Sequence, residues 1–145
     1  MIKKITIILV VCLFFSCNKN SNQKNITNNP VPSVLVNYTT YPGDPLNSRI
    51  QSIGGWMYVD HIGINGIIIY RKSQEEFVAI ERTSSYLPDN SAAKVQVLID
   101  NFTLRDTVSN SQWRLFDGTV TQGPAEWPLR IYGTSFNGNA LTIKN

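Results

Sequence analysis

Cysteine is nearly missing: the 145-residue chain holds two, Cys12 and Cys17, both near its start. Everything after Cys17 lacks a thiol, which excludes disulfides and cysteine-ligated metal from a domain built there, although an exported protein of this size could use either. Histidine is scarcer still, with His61 alone. One imidazole cannot supply a multi-histidine metal site and makes a Ser/His/Asp triad hard to assemble. His61 lies in the glycine-bearing stretch VDHIGING and reads as a solvent-facing turn residue. Charge is sparse and nearly balanced, with 13 basic and 10 acidic side chains, a formal net of +3. The arginines stand singly, so the chain lacks the basic cluster that grips phosphate backbones, and nucleic acid is not an expected partner.

Long apolar runs are also lacking, apart from Ile5 to Phe15. That run is too short to span a bilayer, which takes roughly 20 residues. It follows Lys3 and Lys4 and closes on Ser16 and Cys17, the layout of a secretory signal peptide over residues 1–16. Its loss takes Lys3 and Lys4 from the 13 basic residues and leaves 11 against 10 acidic ones, a net of +1. The small residue before cysteine resembles the lipobox of bacterial lipoproteins, with Phe14 where those sequences usually carry leucine. The resemblance implies that Cys17 is diacylated and becomes the mature N-terminus; the other reading is an ordinary signal peptide with a chance cysteine. Acylation would hold the protein at a membrane without crossing it. The expected location is the bacterial cell envelope. Asn18, in place of a retaining aspartate, favours the outer membrane, and a segment without an acidic cluster favours its periplasmic side. After Cys17 the stretch NKNSNQKNITNNPVP has little to bury, so residues 17–32 read as a lipidated cysteine and flexible linker, and the domain occupies 33–145.

Within that domain, short apolar or alternating runs bounded by turn residues predict strands at Val34 to Thr39, Trp56 to Asp60, Ile67 to Arg71, Phe77 to Thr83, Lys94 to Ile99, Phe102 to Arg105, Gln112 to Phe116, Leu129 to Tyr132 and Leu141 to Lys144. IIIY at Ile67 to Tyr70 is apolar on both faces and belongs inside a sheet. Asp117 and Gly118 between two such runs signal a hairpin. Only DPLNSRI suggests a helical turn, capped by Asp44 with Pro45 at its first position. The pattern predicts one all-β domain of antiparallel sheets, large enough to fold without a metal or disulfide.

Carboxylates offer no clear site. Glu75 and Glu76 are neighbours, so on a strand they would point to opposite faces. They suit a hairpin turn better than the paired geometry of glycoside hydrolysis. Asp60, Glu81, Asp106 and Asp117 show no spacing that brings them together. Trp56, Trp113, Trp127, Tyr58, Tyr86 and Tyr132 could stack on a sugar or protein partner, or serve as core. Trp113 alternates with polar residues like a core position, and Trp127, between Glu126 and Pro128, is the candidate for exposure. Asn-x-Thr matches at NIT, NYT and NFT carry little weight in a bacterial lipoprotein. Asp106, Thr107 and Val108 are similar to an O-glycosylation tripeptide of exported proteins in Bacteroidetes-like bacteria.

Three pieces stand in order: GIIIYRKSQEEFVAIERTSSY, WRLFDGTV and GPAEWPLRIY. Together they resemble the Rieske domain, in particular the small Rieske-like lipoproteins of Bacteroidetes-type bacteria, from about Val34 to the C-terminus. That resemblance implies a Cys-x-His loop, a Cys-x-x-His loop and a Gly-Pro-Ala loop gathered around a 2Fe–2S cluster. Here the first pair falls at Ser84 and Tyr86, and the second at Asp106 and Ser109. All four ligands are replaced, and hydroxyl and carboxylate oxygens are hard substitutes for thiolate and imidazole. No cofactor is therefore expected. The resemblance implies a scaffold with an apolar and aromatic tip of Tyr86, Leu87, Pro88, Trp127 and Pro128. The expected function is a non-redox binding or scaffolding module, with a protein or glycan partner that the sequence does not name. The alternatives are an electron carrier with unusual or partner-supplied ligands and, more distantly, a glycan-acting enzyme.

Overall fold

A computed structural model describes residues 29–145. The predicted signal segment and Cys17 lie outside those residues. Ten strands follow one another: β1 (Asn37–Thr40), β2 (Trp56–Val59), β3 (Ile67–Arg71), β4 (Phe77–Glu81), β5 (Val95–Val97), β6 (Thr103–Asp106), β7 (Gln112–Arg114), β8 (Val120–Gln122), β9 (Ile131–Phe136) and β10 (Leu141–Lys144). A 3-10 helix, Pro45–Ile50, separates β1 from β2. Its cap is the expected one, with the Asp44 carboxylate accepting the Leu46 N–H at 2.8 Å.

The strands form two antiparallel sheets, of order β1-β10-β9-β4-β3-β2 and β5-β6-β7-β8. The all-β architecture agrees with the sequence pattern. Alternation along β3 explains why two cores exist: Ile68 and Tyr70 face one, Ile67 and Ile69 the other. The first core lies between the sheets, where Val78 and Ile80 of β4 meet Val95, Leu104, Trp113 and Leu115. The second gathers Phe77, Ala79, Tyr132, Leu141 and Ile143 with Val36 and with Ile50 from the 3-10 helix. Among the described residues, the buried members of both cores lie between Val36 and Ile143.

Several boundaries differ from the sequence expectation, each for a local reason. β4 ends at Glu81 instead of Thr83 because the Glu81 carboxylate takes the Thr83 N–H, at 3.0 Å, and bends the chain away. The run Gln112 to Phe116 stops as a strand at Arg114, whose carbonyl accepts the Gly118 N–H at 2.8 Å and so starts the turn. Gly118 sits at φ 70°, the left-handed region that glycine enters without strain. The hairpin predicted at Asp117 and Gly118 closes on β8, a strand whose single apolar residue, Val120, gave no signal. The strand expected at Leu129 to Tyr132 runs instead from Ile131 to Phe136, through the polar residues Thr134 and Ser135 that pair with β10. The first strand is Asn37–Thr40, shorter than the expected Val34 to Thr39. Packing nevertheless reaches back to fully buried Val31, whose carbonyl the Arg130 guanidinium holds at 3.0 Å.

Trp113 is fully buried, and its indole N–H donates to the Trp127 carbonyl at 3.0 Å. Trp113→Ala is expected to cost roughly 3–5 kcal/mol from the lost packing. Urea unfolding followed by circular dichroism measures it.

Candidate functional site

Two buried carboxylates organise one end of the molecule. Glu81, fully buried at the end of β4, accepts five donors. Its Oε2 takes the Ile64 N–H at 2.9 Å and the Tyr132 hydroxyl at 2.7 Å. Its Oε1 takes the Asn65 N–H at 3.0 Å and the Thr83 hydroxyl at 2.8 Å, besides the Thr83 N–H. The β2–β3 turn, β9 and the start of the β4–β5 loop thus converge on one side chain. Burial, and then the bond to Glu81, raise the Tyr132 pKa well above the ordinary phenol value.

Immediately downstream, Ser84 is fully buried and its hydroxyl donates to Asp106 Oδ2 at 2.8 Å. Asp106, at the end of β6, is itself fully buried. Its Oδ2 also accepts the Ser109 hydroxyl at 2.7 Å, and its Oδ1 takes the Val108 and Ser109 N–H groups at 2.8 and 3.3 Å. The network continues through Ser111, whose hydroxyl lies 2.9 Å from that of Ser109 and accepts the Ala125 N–H at 3.0 Å. Ser85 donates to the Trp127 carbonyl at 2.6 Å. Three loops, around Ser84, Asp106 and Ala125, are therefore tied by side-chain hydrogen bonds. Each bond to the Asp106 carboxylate is of the stronger, charge-assisted kind when it is ionised.

Sequence reasoning names Ser84, Tyr86, Asp106 and Ser109, and the structure brings three of them into direct contact. Tyr86 donates only its backbone N–H to Ser84 Oγ, at 3.2 Å, while its ring turns to solvent, 46% exposed. Beside it is a shallow cavity of about 290 Å³ lined by Pro30, Ser85, Tyr86, Pro124, Glu126 and Trp127. Trp127, expected to be exposed, is half-buried. Pro128 faces the neighbouring cavity, with Asn29 and Leu129, so the five tip residues do not share one surface depression. Leu87 and Pro88 are half-buried in the same loop as Tyr86. Ser85 and Ser111 were missed. The signal for them is the serine density of SSY and SNS around the named positions.

The remaining carboxylates stay apart in their bonding. Asp60 pairs with Arg82 at 2.8 Å and Lys94 at 3.4 Å, and Lys94 and Arg82 together hold its carboxyl below the ordinary range. Asp117 is drawn down to about 2, chiefly by its bonds to Arg114. Glu75 and Glu76 are exposed in the β3–β4 turn, and His61 is exposed between β2 and β3. Thr107 is exposed, whereas its neighbour Asp106 is not. Trp56 and Tyr58 lie half-buried against the first core. Among the described residues, no group of three His, Cys, Asp or Glu side chains could hold a metal ion. Of the four positions that the Rieske resemblance assigns to ligands, Ser84, Asp106 and Ser109 bond one another through side-chain oxygens while the Tyr86 ring faces solvent, and this set of hard oxygen groups does not fit an iron–sulfur cluster. No protein-family model matches the chain, and no curated protein matches it.

Two outcomes follow from these bonds. Asp106→Ala leaves the Ser84 hydroxyl and the Val108 N–H without their acceptor and should cost about 2–4 kcal/mol, whereas Ser84→Ala should cost nearer 1 kcal/mol; urea titration of both variants gives the comparison. The raised Tyr132 pKa means that the unfolded chain releases its phenol proton near pH 10 while the folded chain keeps it. Stability from this group is complete below pH 10 and falls as pH rises beyond it, so Tyr132→Phe should flatten the loss of stability between roughly pH 10 and 12.

Proposed function

We propose that the protein is a Rieske-like lipoprotein of the bacterial envelope whose cluster position has become a hydrogen-bonded joint, and that it works as a non-redox binding or scaffolding module. The observation that carries this reading is the Ser84–Asp106 contact at 2.8 Å. Two positions that the resemblance assigns to thiolates are joined there directly by their side chains. The resemblance places the first pair at Ser84 and Tyr86 and the second at Asp106 and Ser109, and on this reading the loop frame is kept while its donors change. A joint of this kind rigidifies the loops without metal. Rigid loops that frame an aromatic depression suit recognition better than electron transfer, and Tyr86 and Trp127 are aromatics of the kind that dominate contact surfaces.

The signal segment and Cys17 complete the proposal: acylation at Cys17 holds the module at a membrane, with the periplasmic side of the outer membrane as the favoured place. The enzyme reading gains no support, because Asp60, Glu81, Asp106 and Asp117 are each engaged by separate partners.

Purification from the native membrane under anaerobic conditions, with iron analysis and a visible spectrum, tests the reading. Iron well below one atom per chain and no charge-transfer band are expected. A full cluster per chain would establish an electron carrier with partner-supplied ligands instead. Tyr86→Ala combined with Trp127→Ala is expected to weaken co-purification with the native partner while the thermal transition survives; unchanged co-purification would move the docking surface elsewhere.

A further inference from the structure

Asparagine is followed directly by glycine twice, at Asn65–Gly66 and Asn137–Gly138. Such a pair carries its own chemistry. A glycine offers its backbone nitrogen with no side chain to shield it, and the preceding side-chain amide carbon lies within reach for closing a cyclic imide. The two glycines share a backbone conformation, with φ 90° at Gly66 and 89° at Gly138. Their surroundings therefore decide which asparagine can react.

Asn65 is held in place. Its side-chain nitrogen donates to the Thr83 hydroxyl at 2.9 Å and its backbone N–H to Glu81 Oε1 at 3.0 Å. Gly66 is buried, its carbonyl accepts the Arg82 N–H at 2.9 Å, and an added Cβ would stand 3.0 Å from the Val59 carbonyl oxygen. Ring closure there would break the Thr83 bond and shift packed backbone. Asn137 stands differently, in the turn between β9 and β10. Asn137, Gly138 and Asn139 are exposed, and an added Cβ on Gly138 would meet nothing within 4 Å. The Asn137 side-chain oxygen accepts the Asn139 N–H at 3.0 Å and the Ala140 N–H at 2.7 Å. To reach N–H groups two and three residues on, the side chain folds over the Gly138 peptide. Among the described residues the Gly138 N–H has no hydrogen-bond acceptor. A cavity of about 370 Å³ adjoins Gly138, lined also by Pro42, Gly43, Gln51, Arg71 and Phe136, and is roomy enough for water.

We infer that Asn137 is a self-modification site: the folded chain converts it to aspartate and isoaspartate with water as the only co-reactant, while Asn65 is spared. Hydroxide takes the proton of the Gly138 N–H, and the nitrogen bonds to the Asn137 side-chain carbon. The bond from that carbon to Nδ2 then breaks, and the leaving nitrogen takes a proton from water, releasing ammonia and regenerating hydroxide. Water opens the resulting succinimide at either carbonyl. The negative charge that develops on Oδ1 in the tetrahedral intermediate faces the Asn139 and Ala140 N–H groups already bonded to it, which is the arrangement of an oxyanion hole. Among the described residues no N–H donates to the side-chain oxygen of Asn65. The aspartate product adds a charge and keeps an acceptor for both N–H groups. The isoaspartate product lengthens the main chain by one carbon inside the hairpin whose Phe136–Leu141 pairing sets the β9–β10 register. That register places Leu141 and Ile143 in the second core, so conversion marks the age of a molecule and loosens this edge of it.

The full chain, folded in one sample and held in concentrated urea in another, is incubated in mildly alkaline buffer, digested with trypsin and analysed by mass spectrometry. The tryptic peptides Ile50–Arg71 and Ile131–Lys144 carry the two sites separately, and fragmentation separates Asn137 from Asn139. In the folded chain Asn137 is expected to convert at least about tenfold faster than Asn65, a barrier difference of about 1.4 kcal/mol. In urea the two rates should converge. Asn137 should also react faster in the folded chain than in urea, an effect that exposure alone would not produce. Asn137→Gln should remove the acidic band that accumulates on native isoelectric focusing, since the longer side chain closes its larger ring slowly. A folded chain in which Asn65 keeps pace with Asn137 overturns the inference, and so does an Asn137 that reacts more slowly folded than unfolded.

Discussion

The bond between Ser84 and Asp106 is the constraint on which the functional end depends. It ties the β4–β5 loop, which crosses from one sheet to the other, to the end of β6 in the second sheet, at a place where both side chains are fully buried. A carboxylate cannot remain there unpaired, since its burial without donors would cost several kcal/mol. Four donors surround it, and their positions fix the loop from Asp106 to Ser111. From Ser111 the constraint passes to Ala125 and so to the third loop. Glu81 performs a parallel task three residues before Ser84, so the β4–β5 loop leaves the sheet from a fixed point.

Polar joints of this kind demand that the surrounding sheets be rigid, and the two cores meet that demand. β3 and β4 contribute to both, because their side chains alternate between the faces of one sheet. Trp113 couples core to loop: its ring fills the space between the sheets and its N–H reaches the Trp127 carbonyl, which also receives the Ser85 hydroxyl. Arg82 makes a further link between the sheets, with its guanidinium 3.8 Å from the Tyr58 ring centroid and bonded to the Val95 carbonyl at 3.2 Å. Burial lowers its pKa, and the neighbouring Tyr58 and Asp60 oppose that shift.

Much of this fold is legible in the sequence because burial and alternation write themselves into it. β3 and β10 have the boundaries that their apolar pattern predicts, and the Asp44–Pro45 start of the helical turn is explicit. β8 and the second half of β9 are not legible, because backbone pairing with a neighbour holds them and their side chains are largely polar. At the candidate site, only the family resemblance, and not the spacing of the residues, points to Ser84, Asp106 and Ser109 together. Their mutual hydrogen bonds are invisible in the sequence, since serine and aspartate are ordinary loop residues. The half-burial of Trp127 is hidden for a related reason: the chain around it is held by bonds to its carbonyl, which no side-chain pattern encodes.

The account stands or falls on whether the loop end is a cluster frame closed by oxygen donors. The direct measurement is iron–sulfur reconstitution of the chain carrying Ser84→Cys, Tyr86→His, Asp106→Cys and Ser109→His, beside the unaltered chain under the same conditions. The account predicts that the unaltered chain stays colourless and that the substituted one gains a single 2Fe–2S cluster with the spectrum of mixed thiolate and imidazole ligation. A substituted chain that folds yet takes up no cluster, or an unaltered chain that takes one up, would contradict it.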